Sequence, residues 1–153
     1  MKFFITLIML TSVLSCKTAT STTVQKSNAM EKVEYVEARR LNKNIGAKDV
    51  FVLENMDDIT ALYTKFQNPG MTRQAPIPTL EADESMLIIN PKPSASNPYA
   101  DIEVESLSTK GNQLIVNYKE VENGEYSANK ESHPVLVLIV KAKPKSVVLK
   151  KLK

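Results

Sequence analysis

Side chains that usually build metal centres and disulfides are scarce in this chain. Its 153 residues include one cysteine, Cys16, and one histidine, His133. Because an internal disulfide needs two cysteines and a transition-metal site usually needs several His or Cys ligands, we expect neither. Three carboxylates lie close together at Glu81, Asp83 and Glu84, but the spaced D-x-D-x-D-G pattern of a calcium loop is missing. The sequence therefore predicts no metal and no cofactor.

Motifs that carry nucleophilic catalysis are missing as well. The four glycines form neither a phosphate-binding loop nor a Gly-x-Ser-x-Gly elbow. A histidine that acts as a general base also needs a nucleophile and an orienting acid beside it. One alternative is a small hydrolase that uses either His133 or the carboxylates from Glu81 to Glu84. The first interpretation is that the protein has no catalytic residue and is not an enzyme.

Net charge and composition limit the kinds of partner. The formal net charge is +3, and the chain has 24% charged and 42% hydrophobic residues. These fractions are ordinary for a soluble globular domain. The charge is too small to indicate a nucleic-acid partner. A chain of this length fits one domain with a single core.

The first sixteen residues have the pattern of an export signal. Lys2 supplies a positive start, residues 3–14 form an almost unbroken apolar run, and small residues precede Cys16. The run is too short for a transmembrane helix, which needs about 20 apolar residues. Its last four residues, Val-Leu-Ser-Cys, resemble the bacterial lipobox, in which the cysteine is lipidated and becomes the first mature residue. We expect Cys16 to anchor the protein in a membrane of the bacterial cell envelope; the alternative is an ordinary secreted protein with an incidental cysteine in its signal.

Composition divides the chain into three parts. Residues 1–15 are the predicted lipoprotein signal peptide. Residues 16–30 contain the lipidated cysteine and a tether rich in Ser and Thr, with too few large apolar side chains to build a core. Residues 31–153 form one β-rich domain.

Hydrophobic periodicity predicts one helix and about seven strands. The amphipathic helix spans residues 55–66, from the cap Asn55 to Phe66, with Ile59, Leu62 and Tyr63 completing one apolar stripe. The predicted strands are residues 32–41, 49–53, 86–90, 100–107, 114–118, 134–140 and 146–152. The run at residues 49–53 predicts a buried strand. The run at residues 134–140 is apolar on both faces, which predicts a central strand covered on both sides. We expect an α+β fold with a mainly antiparallel sheet.

Two local patterns refine this expectation. In the strand at residues 100–107, Asp101, Glu103 and Glu105 alternate with apolar residues, so these carboxylates are expected on the solvent face. Pro144 favours a tight reversal before the last strand.

A basic patch follows the strand at residues 134–140. Alternation places Lys141, Lys143 and Lys145 on one face of a strand end and turn. One interpretation is a sheet edge that charge protects from aggregation. The other is attraction to anionic headgroups or to an acidic partner.

The order of elements resembles the C-terminal domain family of the protease complex subunit PrcB, known from exported bacterial proteins. The resemblance covers about residues 50–149. Its parts are a strand with a short helix, the segment at residues 78–81, a buried strand, a loop ending in Tyr99, a hairpin, and a strand that begins at Pro134.

This chain departs from the family pattern at three places, one of which is Val135, where the family has a tyrosine after the x-Pro. The family has Asp-Phe where this chain has Glu81-Ala82. It has Gly-Gly-Tyr where this chain has Asn97-Pro98-Tyr99, so the tyrosine alone is kept. Proline has a fixed negative φ and cannot take the positive φ that glycine allows.

The resemblance implies a non-catalytic accessory or binding lipoprotein, with an envelope protease as the partner of at least one family member. Loops on a rigid sheet usually carry the contacts of such a domain. We expect partner contacts at Pro93, Asn97 and Tyr99, and at Glu81 and Pro134. An alternative is a protease inhibitor that presents the loop from Asn97 to Tyr99.

Overall fold

The computed structural model describes residues 29–67, 70, 75–124 and 132–153. Within these ranges the chain forms eight strands and one helix. In chain order they are β1 (Met30–Lys32), β2 (Tyr35–Asn42), β3 (Val50–Leu53), α1 (Met56–Phe66), β4 (Ser85–Ile89), β5 (Ala100–Lys110), β6 (Gln113–Glu122), β7 (Pro134–Val140) and β8 (Ser146–Lys151).

The strands form two four-stranded sheets. Sheet A has the order β1-β5-β6-β8, and sheet B has the order β2-β7-β4-β3. Neighbouring strands are antiparallel except β6 and β8, which run parallel. The predicted α+β fold with a mainly antiparallel architecture is confirmed, with eight strands where about seven were predicted.

The additional strand arises at Val33, where the chain passes from sheet A to sheet B. β1 pairs with β5, β2 pairs with β7, and Val33 between them is 6% exposed. The prediction of one strand over residues 32–41 is therefore wrong. Side-chain alternation continues across the crossing, so periodicity does not reveal the change of sheet.

The last strand also has an unexpected neighbour. The chain does not reverse at Pro144 to return beside β7; it continues to sheet A, where β8 pairs in parallel with β6. A parallel pair requires a connection that passes outside the sheet. Here that connection includes all of β7, which belongs to the other sheet.

Sheet B is covered on both faces. Alternate residues of its central strands point into the sandwich between the sheets; they are Leu87, Ile89, Leu136, Leu138 and Val140. The residues between them pack under α1; they are Met86, Ile88, Val135 and Val137. The prediction that β7 is a central strand covered on both sides is confirmed. The strand at β3, predicted as buried, is half-buried because it forms an edge of sheet B.

Helix α1 begins and packs as its sequence predicts. The Asn55 side-chain oxygen accepts a hydrogen bond from the Asp58 N–H at 2.8 Å, which caps the first turn. The apolar stripe is buried; its members are Ile59, Leu62, Tyr63 and Phe66. The Arg39 guanidinium of β2 lies 5.7 Å and 5.3 Å from the ring centroids of Tyr63 and Phe66, so a cation–π contact also links the helix to sheet B. No helix within the described ranges is long and apolar enough to span a bilayer.

The hairpin between β5 and β6 closes with two residues, Gly111 and Asn112. Gly111 has a φ of +63°, a conformation that side chains with a Cβ rarely adopt. The register of the hairpin shifts between Val104 and Ser106, where a bulge interrupts the ladder.

Candidate functional site

A groove lies at the end of sheet B where β2 and β4 finish and where β3 and β7 start. Three segments form its walls: residues 44–49, residues 90–98, and Ser132 with His133. Its volume is about 570 Å³, within the usual range of small-ligand pockets. Antiparallel pairing brings the three segments together, because Asn42 lies opposite Pro134 and Val50 lies opposite Ile89.

Backbone N–H groups donate the hydrogen bonds that hold the groove walls in place. The Asn90 N–H donates to the Asp49 carbonyl at 2.7 Å, joining the 44–49 and 90–98 segments. The Asn42 side-chain oxygen accepts from the His133 N–H at 2.6 Å. In the first segment, the Asn44 side chain accepts from the Gly46 N–H at 3.0 Å, and Gly46 has a φ of +60°. This side-chain turn fixes the loop with a residue that tolerates the left-handed region.

Glu120 anchors the 90–98 segment from sheet A. One carboxylate oxygen accepts from the Ser94 N–H at 3.1 Å, and the other accepts from the Ser94 hydroxyl at 2.6 Å. Lys151 of β8 completes the cluster, with its ammonium 2.8 Å from the second oxygen. The Glu120 side chain is only 8% exposed, so these three donors stabilise a carboxylate that has little water around it.

The pKa of Glu120 follows from this cluster. Burial alone would raise it, but Lys151 and the two Ser94 donors favour the ionised form more strongly, and the pKa is lowered from its ordinary value. Next to it, burial raises the pKa of the Tyr118 hydroxyl, and the Glu120 charge raises it further.

A second ion pair joins the two sheets near the groove. The Arg40 guanidinium of β2 lies 3.0 Å from the Asp101 carboxylate of β5 and donates to the Ile102 carbonyl at 2.6 Å. Asp101 is 5% exposed, so the prediction that it lies on the solvent face is wrong. The Ile102 N–H and the Asn123 amide also donate to its oxygens, at 2.7 Å and 3.2 Å. The Arg40 charge and the N–H donors of Ile102 and Asn123 stabilise this buried carboxylate.

Ser132 joins the third groove wall to the start of β5 and to the 90–98 segment. The Ser132 hydroxyl donates to the Ala100 carbonyl, and its N–H donates to the Pro98 carbonyl at 3.2 Å. Ser132 is 2% exposed. The 90–98 segment is therefore held at Ser94 by Glu120 and at Pro98 by Ser132.

The groove surface combines small apolar groups with hydrogen-bonding groups. Proline and alanine side chains contribute the apolar part; they are Ala47, Pro91, Pro93, Ala95 and Pro98. Amides and hydroxyls are contributed by Asn44, Asn90, Ser94 and Ser132, and ionisable groups by Asp49, Lys92 and His133. A surface of this composition can form both hydrogen bonds and apolar contacts with a bound group.

The structure brings together some of the residues predicted to contact a partner. Pro93 lines the groove. Asn97 and Tyr99 lie half-buried where the same segment enters β5, and the Asn97 carbonyl accepts from the Ala100 N–H at 3.2 Å. Pro134 is buried as the first residue of β7, so it supports the groove end from within the sheet.

Glu81 is placed elsewhere. It lies in the segment before β4 begins, whereas the groove lies after β4 ends. Its N–H donates a hydrogen bond to the Glu84 carboxylate at 2.9 Å, which closes a small acidic turn. The same separation divides the residues of the hydrolase alternative: His133 lines the groove, and Glu81 and Glu84 lie at the opposite end of sheet B. In the part of the chain that the structure describes, no three His, Cys, Asp or Glu side chains are grouped as metal ligands.

The predicted basic patch lies in a loop, residues 141–145, that connects β7 to β8. Ala142 packs against the sandwich core and Pro144 is buried, whereas Lys141, Lys143 and Lys145 are exposed. The alternation of lysines with small residues therefore belongs to a loop and not to a strand end. In this loop Ala142 and Pro144 face the sandwich, and the lysines face solvent.

Groove residues that the sequence did not single out include Asp49, Asn90 and the anchoring pair Glu120 and Lys151. A signal for the pair is present in the sequence. The inward alternation of Leu114, Val116 and Tyr118 continues to Glu120, and that of Val147 and Leu149 continues to Lys151. Each strand therefore carries a charged residue at its next inward position, but only the pairing of β6 with β8, which the sequence does not predict, brings the two residues together.

Comparison with protein-family models, with curated proteins and with solved structures gives no match for this chain. The resemblance to the PrcB C-terminal domain family stays a prediction. Cys16 lies outside the described residues, and its lipidation is a prediction from the sequence.

Proposed function

We propose that this protein is a lipid-anchored, non-catalytic binding subunit of the bacterial cell envelope. Its groove at the end of sheet B holds a short segment of a partner protein. An envelope protease is the first candidate partner, because the order of elements resembles the PrcB C-terminal domain family. Cys16 supplies the anchor.

The observation that carries this proposal is the way the groove is built. Its 90–98 wall has no regular secondary structure, yet Glu120 holds it at Ser94 and Ser132 holds it at Pro98. A loop fixed in this way loses little conformational entropy when a partner binds. Concave, largely preformed surfaces with a few oriented polar groups are the usual form of binding sites.

The lipid anchor follows from the lipobox-like sequence. Each acyl methylene buried in the bilayer contributes about 0.8 kcal/mol, so two or more chains on Cys16 give stable anchoring. An anchored binding domain meets its partner in the two dimensions of the membrane, which raises the effective concentration of an envelope partner.

Photo-crosslinking in intact cells tests the proposal. A photoreactive residue replaces Ala95, an exposed residue that lines the groove. In a matched control it replaces Lys150, an exposed residue of β8. We expect the groove position to capture one envelope protein reproducibly and the control position not to capture it. Equal capture at both positions, or none from the groove, would overturn the assignment of the groove.

The inhibitor alternative makes a different prediction for the same captured partner. If the loop from Asn97 to Tyr99 inhibits a protease, the activity of that protease falls on binding and recovers when Pro98 is replaced by Gly. For an accessory subunit, the activity stays the same or rises. Measuring peptide hydrolysis by the purified partner with and without this protein separates the two.

A further inference from the structure

We infer that the end of the molecule opposite the groove rests on the bilayer surface and binds anionic phospholipid headgroups through Lys141, Lys143 and Lys145. This inference rests on the proposed function, because it requires a protein held at a membrane by Cys16. It adds an orientation: the lysines face the membrane and the groove faces away from it.

The first observation is where the described chain begins. Met30 of β1 pairs with Lys110 of β5, beside the hairpin at Gly111 and Asn112. Ala29 therefore leaves the domain at the tip of sheet A. Cys16 precedes Ala29 by 13 residues, which span at most about 45 Å when fully extended.

The second observation is that the lysine loop reaches the same tip. The Lys145 N–H donates to the Asn112 carbonyl at 2.8 Å, at the turn that closes the hairpin. The start of β1 and the start of β8 are separated by two strands of sheet A. Neighbouring strands are about 4.8 Å apart, so these two points lie roughly 14 Å from each other.

The third observation is that the loop backbone is fixed. At its start, the Lys141 N–H donates to the Glu34 carbonyl at 3.1 Å. In its middle, the Ala142 carbonyl accepts from the buried Ser85 hydroxyl at 2.6 Å. With Pro144 buried, three exposed ammonium groups project from a rigid base. None of the three lysines forms an ion pair with another described residue.

The tip has an apolar contribution as well. Met30 is 59% exposed. An exposed thioether beside basic side chains suits the headgroup region, where apolar side chains enter the interface and basic side chains meet phosphates.

Carboxylates at this end lie on both sheets. On the sheet A side, Glu31 of β1 and Glu34 flank Lys32, and all three residues are exposed. On sheet B, carboxylates follow β3 at Glu54 and precede β4 at Glu81, Asp83 and Glu84. Sheet A extends past sheet B, because the Val33 N–H meets the Leu107 carbonyl where the chain crosses, three residues before β5 ends at Lys110. The tip therefore approaches a flat surface before the sheet B carboxylates do, whereas Glu31 lies at the tip itself and offsets part of its positive charge.

The groove faces the other way. It adjoins the start of β5 at Ala100, and the tip is the end of β5 at Lys110. Eleven residues of strand span about 35 Å. With the tip on the bilayer, the groove stands about that far above it.

Vesicle binding tests the surface apart from the lipid anchor. The protein used is the mature chain, residues 16–153, with Cys16→Ala. Its co-sedimentation is measured with vesicles of pure phosphatidylcholine and with vesicles of equal parts phosphatidylcholine and phosphatidylglycerol. We expect binding to the anionic vesicles alone, lost when salt rises from 0.1 M to 1 M, where the screening length falls from about 10 Å to about 3 Å.

Charge reversal tests the named lysines. The variant Lys141→Glu, Lys143→Glu, Lys145→Glu is expected to weaken partition onto anionic vesicles at least about tenfold. The matched control reverses three exposed lysines elsewhere, Lys48, Lys65 and Lys92, and is expected to bind as the unaltered chain does. If the first variant folds poorly, the same three positions are changed to Gln. Equal binding by the variant and the control, or equal binding to both kinds of vesicle, would overturn the inference.

The orientation of the domain on the bilayer is tested with the lipidated protein. A fluorophore on Lys143→Cys in the lipidated protein is expected to be quenched by headgroup-labelled lipid, and one on Ala95→Cys is not. Equal quenching at both positions overturns the orientation. If Cys16 carries no lipid but the chain still binds anionic vesicles, the proposed anchor is rejected. Headgroup binding by the lysines is then still supported.

Discussion

The two ends of this sandwich use charge in opposite ways. At the groove end, Glu120 and Lys151 form a pair that reaches inside the sandwich, and it holds the wall at Ser94 in place. At the tip, Lys143 and Lys145 are exposed on a loop whose fixed backbone depends on none of their ammonium groups. The paired charges at the groove end stabilise the fold of the groove wall. The lysines at the tip, which form no ion pair with another described residue, are free to contact an anionic partner.

The largest effect is expected from removing the proposed anchor at Cys16. In the Cys16→Ala protein, nearly all of the chain should move to the soluble fraction when membranes are washed in 1 M salt, because no acyl chain is left to hold it and the salt screens the lysine surface. The neighbouring Lys17→Ala change, which keeps the thiol, should leave the protein at the membrane. Fractionation followed by immunoblotting measures both, and membrane retention of the Cys16→Ala protein after the salt wash contradicts the anchor.

Breaking the groove-end pair should come next. Glu120→Ala removes the acceptor of both Ser94 hydrogen bonds and leaves the Lys151 ammonium without its partner, so we expect a loss of about 2 kcal/mol in the free energy of unfolding. Urea unfolding measures it. Lys150→Ala, on the same strand as Lys151 but outside the ion pairs of the described residues, is the control and should change stability by less than about 0.5 kcal/mol. A loss equal to the control would mean that Glu120 does not hold the groove wall.

A smaller effect is expected at the tip. Gly111→Ala places a Cβ at a φ of +63°, where an L-residue pays about 1 kcal/mol in strain. Gly124→Ala is the matched control, because its φ lies outside the left-handed range and a Cβ there meets no atom within 4 Å. Thermal unfolding of both variants separates the strain from the general effect of adding a methyl group. Equal melting temperatures would contradict the hairpin geometry.

The smallest expected effect is the dependence of stability on pH through Glu120. Its folded pKa is lower than its ordinary value of 4.5, so it stabilises the fold above that value and the stabilisation is lost as pH falls through the folded pKa. Stability should therefore fall below about pH 4.5, and the fall should be shallower in Glu120→Gln. Urea midpoints at pH 7 and at several values below 4.5 measure this, and identical slopes for both proteins contradict it.

The fold could be predicted from the sequence where local pattern decides it. The continuous apolar run of β7 and the periodic apolar stripe of α1 are both local patterns, and both elements lie where the sequence predicts. The crossing at Val33 and the parallel pairing of β8 could not be predicted, because both depend on which sheet a strand joins. A strand has the same alternation in either sheet.

The residues of the candidate site could also be predicted only in part. Pro93 was predicted to contact a partner, since prolines mark a surface loop, and it lines the groove. Asp49 and Asn90 could not be singled out, because they become neighbours only when β3 and β4 pair. The burial of Asp101 likewise depends on Arg40, a partner 61 positions away in the chain. Alternation within one strand carries no information about such a partner.

Crosslinking from both ends of the anchored protein, in intact cells, tests the account most directly. One photoreactive residue replaces Lys92 at the groove, and another replaces Lys143 at the tip. We predict that the residue at Lys92 captures an envelope protein and that the residue at Lys143 captures phospholipid. Lipid captured at Lys92 with protein captured at Lys143, or the same products at both, would contradict the account.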